Sequence, residues 1–321
     1  MTGLWSGVFL TTLAVVAICG CGNKEGFTQQ ANTQYFLQDY NPEFLDVLFV
    51  LDDRSPMNRA QANIAAEASK FFTRLDALTT SDYRMGLVTA DMQFAQGALQ
   101  PKASPVILKK GVGTVADRAG TLSSLISSTL NLHTGAQDQG FAAALSALNG
   151  SFVPRANVPL VLVFISDSDD HSNVPSGDSV TYYSQKFLAA KNADATLLRV
   201  YSVDYAPTGK RCATQPPDSE IDRSDYTKSY FNLATALGGS TADLCGSFSD
   251  NIDLGGLKFK TLPRRFLLSK EPIASSIQVS VFDKTQSYPN ITWNYDASTN
   301  NIVFDSAPPQ GATIQVTFNL Q

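Results

Sequence analysis

The sequence predicts an α/β protein: a doubly wound, mostly parallel sheet followed by a small antiparallel β domain. Three observations predict it. Two nearly continuous apolar runs, Phe44 to Asp52 (FLDVLFVLD) and Pro159 to Ser166 (PLVLVFIS), suit strands buried on both faces of a parallel sheet. Segments with helical spacing alternate with such runs, which calls for right-handed crossovers and helices on both faces. Near Thr261-Leu262-Pro263 the helical periodicity stops and short alternating stretches take over.

In chain order, Ser55-Pro56 is a helix-start signature, Ser as cap and Pro at the first helical position. Ile64, Ala68, Phe71, Phe72 and Leu75 then recur at helical spacing. Tyr83 to Thr89 reads as a second strand and Pro105 to Leu108 as a short third. Val115 to Leu130 and Gln139 to Leu148 read as helices, and Pro159 to Ser166 as a strand. Tyr182 to Ala193 is a helix, Leu197 to Val203 a strand, and Tyr226 to Leu237 a helix closed by Gly238-Gly239. Ile277 to Phe282, Ile291 to Tyr295, Asn301 to Asp305 and Thr313 to Asn319 are alternating strands separated by turn signals such as Pro308-Pro309-Gln310-Gly311. Ligands of such folds bind in the loops beyond the carboxyl ends of the parallel strands, so function is sought there.

Composition bounds the chemistry. The chain has 321 residues, 43% of them hydrophobic, which is ample for a core and excludes a disordered chain. Its 24 Lys+Arg against 29 Asp+Glu leave a net charge of −5, with no basic stripe for nucleic acid. Two His (His133, His171) and four Cys (Cys19, Cys21, Cys212, Cys245), with no CxxC or HxxxH spacing, argue against a zinc site. No GxSxG elbow, Walker loop or HExxH is present. Gly111 to Ala116 fits a loose dinucleotide fingerprint, but it follows the third strand rather than the first and no Glu comes in the twenty-odd residues after it. No enzyme is predicted.

Residues 1–20 carry no Asp, Glu, Lys or Arg, and Val8 to Ile18 is an apolar run too short to span a bilayer. Ile18-Cys19-Gly20-Cys21 resembles the bacterial lipobox. The resemblance implies cleavage before Cys21, lipidation of Cys21, and export to the cell envelope with the outer membrane favoured. The expected organisation is a signal peptide at 1–20, a polar tether at 21–42, an α/β domain at 43–262 and a small β-sandwich-like domain at 263–321.

Asp46 to Met57 (DVLFVLDDRSPM) resembles the opening of a von Willebrand factor A domain, where an apolar strand leads into Asp-x-Ser-x-Ser-Met. Ile165-Ser166-Asp167 resembles that family's second strand-end aspartate, and Thr134 to Gly140 falls in order between them. Ser166 to Ser172, Cys212, Gly238-Gly239 and Cys245 are similar to a subgroup of bacterial lipoproteins that carry this domain and a β tail. The resemblance implies a metal-ion-dependent adhesion site with Asp52, Thr134 and Asp167 as ligands and Mg²⁺ or Ca²⁺ as the ion. This sequence departs from the pattern at Arg54 and Pro56, where hydroxyl ligands should stand. A guanidinium between two carboxylates is then the alternative occupant.

Asp53, Arg54, Ser55, Asp169 and Asp170 are the candidate ligand-binding loop residues. In an exported protein, Cys212 and Cys245 are expected to pair as a disulfide. The function these features imply is a lipid-anchored envelope protein that binds a protein or glycan, in the envelope or on another cell, through the strand-end loops. The alternative is a metal-independent envelope scaffold or assembly factor built on a degenerate domain of this type.

Overall fold

A computed structural model describes residues 31–39, 42–54, 57–58, 60–129, 137–204, 228–252 and 262–320. Signal peptide, Cys21, Ser55, Pro56, Thr134 and Cys212 lie outside the described residues.

The central element is β2 (Phe44–Leu51). It pairs in parallel with β3 (Asp82–Thr89) on one side and β5 (Leu160–Ile165) on the other. β6 (Leu198–Asp204) follows β5 in parallel, and β7 (Thr241–Asp243) follows β6. β4 (Leu108–Lys109) closes the far edge antiparallel to β3, giving a six-stranded sheet of order β4-β3-β2-β5-β6-β7. The predicted doubly wound, mostly parallel sheet is therefore present.

The β2 side chains divide by parity, as the two-residue period of a strand requires. Leu45, Val47, Phe49 and Leu51 enter one core with Ile64, Ala68, Phe71, Phe72 and Leu75 of α1 (Gln61–Leu78) and Leu122 and Ile126 of α2 (Val115–Thr129). Leu48 and Val50 enter the other, with Phe141 of α3 (Gly140–Asn149), Phe187 of α4 (Ser179–Ala189) and Tyr230 of α5 (Lys228–Ala236). Two buried faces explain why the run is continuously apolar. Each such large side chain contributes roughly 1.5–3 kcal/mol by leaving water. A short α6 (Phe248–Asn251) follows β7.

Asp46 is the one charged residue within β2, and it is fully buried. Arg84 donates to it through Nε (2.9 Å) and Nη2 (2.8 Å), and Arg155 through Nε (2.8 Å) and its backbone N–H (2.7 Å). At Gly239 a Cβ would overlap the backbone carbonyl oxygen of Val200, so the turn after α5 lies directly against β6.

The carboxyl-terminal part forms two three-stranded antiparallel sheets around a third core of Phe266, Ile302, Phe304, Ile314, Val316 and Phe318. β8 (Arg265–Leu267), β10 (Trp293–Asp296) and β11 (Asn301–Phe304) form one, in the order β10-β11-β8. β12 (Thr313–Asn319) is the centre of the other, with β9 (Gln278–Phe282) on one side and β1 (Ala31–Leu37) on the other.

β1 corrects the expected tether. Residues 31–37 are a strand of this β module, because Gln34 and Phe36 face inward at alternate positions while Thr33, Tyr35 and Leu37 face out. Polarity concealed the two-residue period. Other differences are smaller. α1 begins at Gln61 rather than near Ser55, α4 begins earlier at Ser179 because Asp178 accepts from the Thr181 N–H, and β7, α6 and β8 were unmarked by any apolar run.

The β module packs on the amino end of the parallel sheet. The Leu267 N–H donates to the Thr80 carbonyl (2.8 Å) and the Ser81 hydroxyl to Asn301 Oδ1 (2.9 Å). A cleft of about 1110 Å³ lies between the units, lined by β1, the end of α1, the β4–α2 turn and the β10–β11 turn. No helix among the described residues is long and apolar enough to cross a membrane.

Replacing Asp46 by Ala leaves two arginines without their acceptor and is expected to cost about 3–5 kcal/mol. Urea unfolding of wild type and variant measures it, and a loss under 1 kcal/mol would contradict the buried-pair account.

Candidate functional site at the carboxyl edge of the sheet

β2 and β5 are neighbours whose following crossovers leave in opposite directions, so their carboxyl ends frame the topological switch point of the sheet. Asp52 and Asp53 follow β2, and Ser166, Asp167 and Ser168 follow β5. The loop preceding α3 brings in Asp138.

Arg54 folds back onto Asp52. Its Nε lies 3.2 Å from Oδ1, its Nη2 3.2 Å from Oδ2, and its backbone N–H 3.0 Å from Oδ1. The same Nη2 donates to the Ser168 hydroxyl and stands 3.9 Å from Asp167 Oδ1. The Arg54 side chain keeps 24% of its exposure, against 1% for Asp52 and 7% for Asp167. Burial works against the guanidinium charge, but the carboxylates of Asp52, Asp138 and Asp167 outweigh it and raise the Arg54 pKa.

Behind this pair is a buried chain of hydroxyl and carboxyl groups. The Ser166 hydroxyl lies 3.0 Å from Asp52 Oδ2 and 2.7 Å from Asp138 Oδ2, and accepts from the Ser168 N–H (3.0 Å). Tyr230 donates its hydroxyl to Asp138 Oδ2 (3.1 Å). One serine proton cannot serve two carboxylates. Burial first, and the neighbouring Asp52 charge second, push the Asp138 pKa well up. The raised pKa of Asp138 strengthens its short contact with the Ser166 hydroxyl, which also lies against Asp52. Burial and the Asp52 charge likewise push Asp167 up to about 7.

The loop residues divide into two sorts. Asp170 braces α3: its Oδ1 accepts the Phe141 N–H (3.0 Å) and the Ser172 hydroxyl (2.8 Å), while Ser172 Oγ accepts the Ala142 N–H (2.9 Å). This caps a helix whose own N-cap, Gln139, makes no side-chain bond. Burial raises the Asp170 pKa to about 6. Asp53 is also buried. Asp169, half-buried, accepts the Ser229 N–H (2.9 Å) at the start of α5. Arg54, Asp169 and Asp170 are half-buried and Asp53 is buried, with the Asp170 oxygens committed to the start of α3.

The described residues at this edge do not fit a hard divalent cation. Asp52 has both oxygens engaged by Arg54, and Nη2 fills the space between Asp52, Asp167 and Ser168. Ser166, Ser168, Asp138 and Tyr230 were not foreseen as site residues. Asp138 carried a faint signal, as an acid in a short polar stretch ahead of a helix; Tyr230 carried none. Cys245 is disulfide-bonded, and Cys212 lies outside the described residues.

This strand order, with an antiparallel edge strand and the β2–β5 switch point, is the doubly wound architecture expected from the resemblance of Asp46 to Met57 to von Willebrand A domains. Among solved structures, the chain is similar to the pilus adhesin SpaC of Lactobacillus rhamnosus GG (12% identity, TM-score 0.42, covering 93% of this chain and 42% of that one). It is similar to a von Willebrand factor type A protein from Catenulispora acidiphila (11% identity, TM-score 0.37, 93% and 67% covered). It is also similar to the human COPII-coat protein Sec24c (11% identity, TM-score 0.40, 89% and 42% covered). The chain therefore spans less than half the length of the SpaC chain. No protein-family model and no curated protein matches it.

Asp167 and Asp170 hold protons in the folded state at pH values where an unfolded chain, with carboxyl pKa near 4, has released them. Their contribution to stability is full below about pH 4 and is lost as pH rises through 6 and 7. Asp167→Asn should flatten the fall in urea midpoint between pH 5 and pH 8; an unchanged slope would show that Asp167 is not the titrating group.

Proposed function

We propose that this chain is a lipid-anchored cell-envelope binding protein that engages a protein or glycan through the carboxyl-edge loops of its A-like domain. One observation carries the reading: the loops after β2 and β5 and the start of α5 converge on one edge, with Arg54 and Asp169 partly open to solvent. Beneath them a fixed network of Asp52, Ser166 and Asp138 holds the loops in place. Rigidly supported loops at a switch point suit recognition, because little ordering entropy remains to be lost on binding. The lipobox-like run ending at Cys21 supports membrane attachment, and the poor fit to a hard cation supports binding without one.

The test is affinity capture from envelope extract, using residues 22–321 immobilised through the carboxyl terminus. A partner should be retained equally with EDTA and with Mg²⁺, and should be lost in an Asp169→Arg variant that still unfolds at the wild-type urea midpoint. Retention by that variant would shift the function away from this edge and toward the scaffold alternative. Acylation of the full chain, tested by mass spectrometry with Cys21→Ser as control, separately tests the anchor.

A further inference from the structure

We propose that Arg54 is a built-in cation that replaces the divalent ion at this strand-end site and makes the domain independent of metal. The geometry is that of a substitute rather than a bystander. A hard cation at this edge needs several oxygens turned toward one point. Here Arg54 Nη2 occupies that point, 3.2 Å from Asp52 Oδ2, 3.9 Å from Asp167 Oδ1, and bonded to the Ser168 hydroxyl. The planar fork matches the carboxylate, with Nε on one Asp52 oxygen and Nη2 on the other. A guanidinium stays protonated under all physiological conditions, and its covalent tether holds it at high effective concentration. A divalent ion would have to displace a bidentate pair whose carboxylate is buried.

The oxygens themselves are in place. Asp52 remains at the end of β2, Asp167 at the end of β5, and Ser166 and Ser168 carry hydroxyls beside them. Removing the guanidinium while adding a hydroxyl at position 54 should therefore reopen a cation site. The inference deepens the reading of this edge as the binding edge and rests on it for its consequence, which is recognition insensitive to chelators.

The experiment uses the chain from residue 22, wild type, Arg54→Ser and Arg54→Gln, each dialysed against EDTA and then titrated with Mg²⁺, Mn²⁺ or Ca²⁺ during thermal unfolding. Wild type should show no shift. Arg54→Ser should start lower and rise saturably, by roughly 5 °C or more at a hundredfold excess over the dissociation constant. Asp167→Asn in the Arg54→Ser background should abolish the rise. Arg54→Gln, which fills the space with a neutral side chain, should lose stability and gain no response. If Arg54→Ser folds only when a cation is added, cation-dependent recovery of circular dichroism is the same result. A saturable shift in wild type, or none in Arg54→Ser, would overturn the proposal. Neither readout involves a partner, so failure here leaves the capture experiment to judge the binding edge.

Discussion

Burying β2 on both faces is the constraint from which the rest follows. A strand in that position has no water along its length, so any carboxylate at its ends must be met by protein groups. Asp46, near the start, is met by Arg84 and Arg155. Asp52, just past the end, is met by Arg54 and Ser166. The first solution locks the parallel sheet at its amino end, because Arg84 comes from β3 and Arg155 from the turn before β5. The second gathers the loops that form the candidate site. Fold and site are therefore two answers to one desolvation problem on a single strand.

The second answer differs in kind from the first. Asp46 has two arginines around one acid. At the carboxyl edge, one arginine faces Asp52, Asp167 and Asp138. The imbalance is relieved by protonation: Asp138 and Asp167 are both pushed upward, so the buried edge carries less negative charge than its residues suggest. The Ser166 hydroxyl bridges Asp138 and Asp52, and Tyr230 donates to Asp138 from the other side. Arg54 is held by the two oxygens of Asp52 and by the Ser168 hydroxyl. Fully satisfied networks of this sort are rigid, and a half-satisfied one would be costly in so dry a place.

Much of this was legible in the sequence, and the rest was not for physical reasons. Strands such as Phe44–Leu51 and Leu160–Ile165 announce themselves because two-sided burial demands uninterrupted apolar residues. Asp52 and Asp167 were legible as strand-end acids, and Arg54 as a misfit among them. Partners that arrive from distant segments were not legible. Tyr230 reaches Asp138 across 92 positions, and Asp170 caps α3 from 29 residues downstream, pairings that no local pattern encodes. β1 was hidden differently. Its inward residues are Gln34 and Phe36, both half-buried, and Gln34 bonds the Leu267 carbonyl and the Ser269 N–H, so hydrophobicity understates its inward role.

That misread strand also orders the molecule. β1 enters the β module before the chain reaches β2, and the module docks at Thr80 and Ser81, beside the amino ends of β2 and β3. The site lies at the opposite end of the same sheet, one eight-residue strand away, or about 26 Å at the usual rise per residue. A lipid on Cys21 would have only residues 22–30 before β1, a reach of about 30 Å when fully extended. The anchor would therefore draw the β module, not the Asp52 edge, toward the membrane. The pairing of β1 with β12 is what couples the two ends: it binds residues 31–37 into the folded unit that docks at the end of the sheet opposite the Asp52 edge.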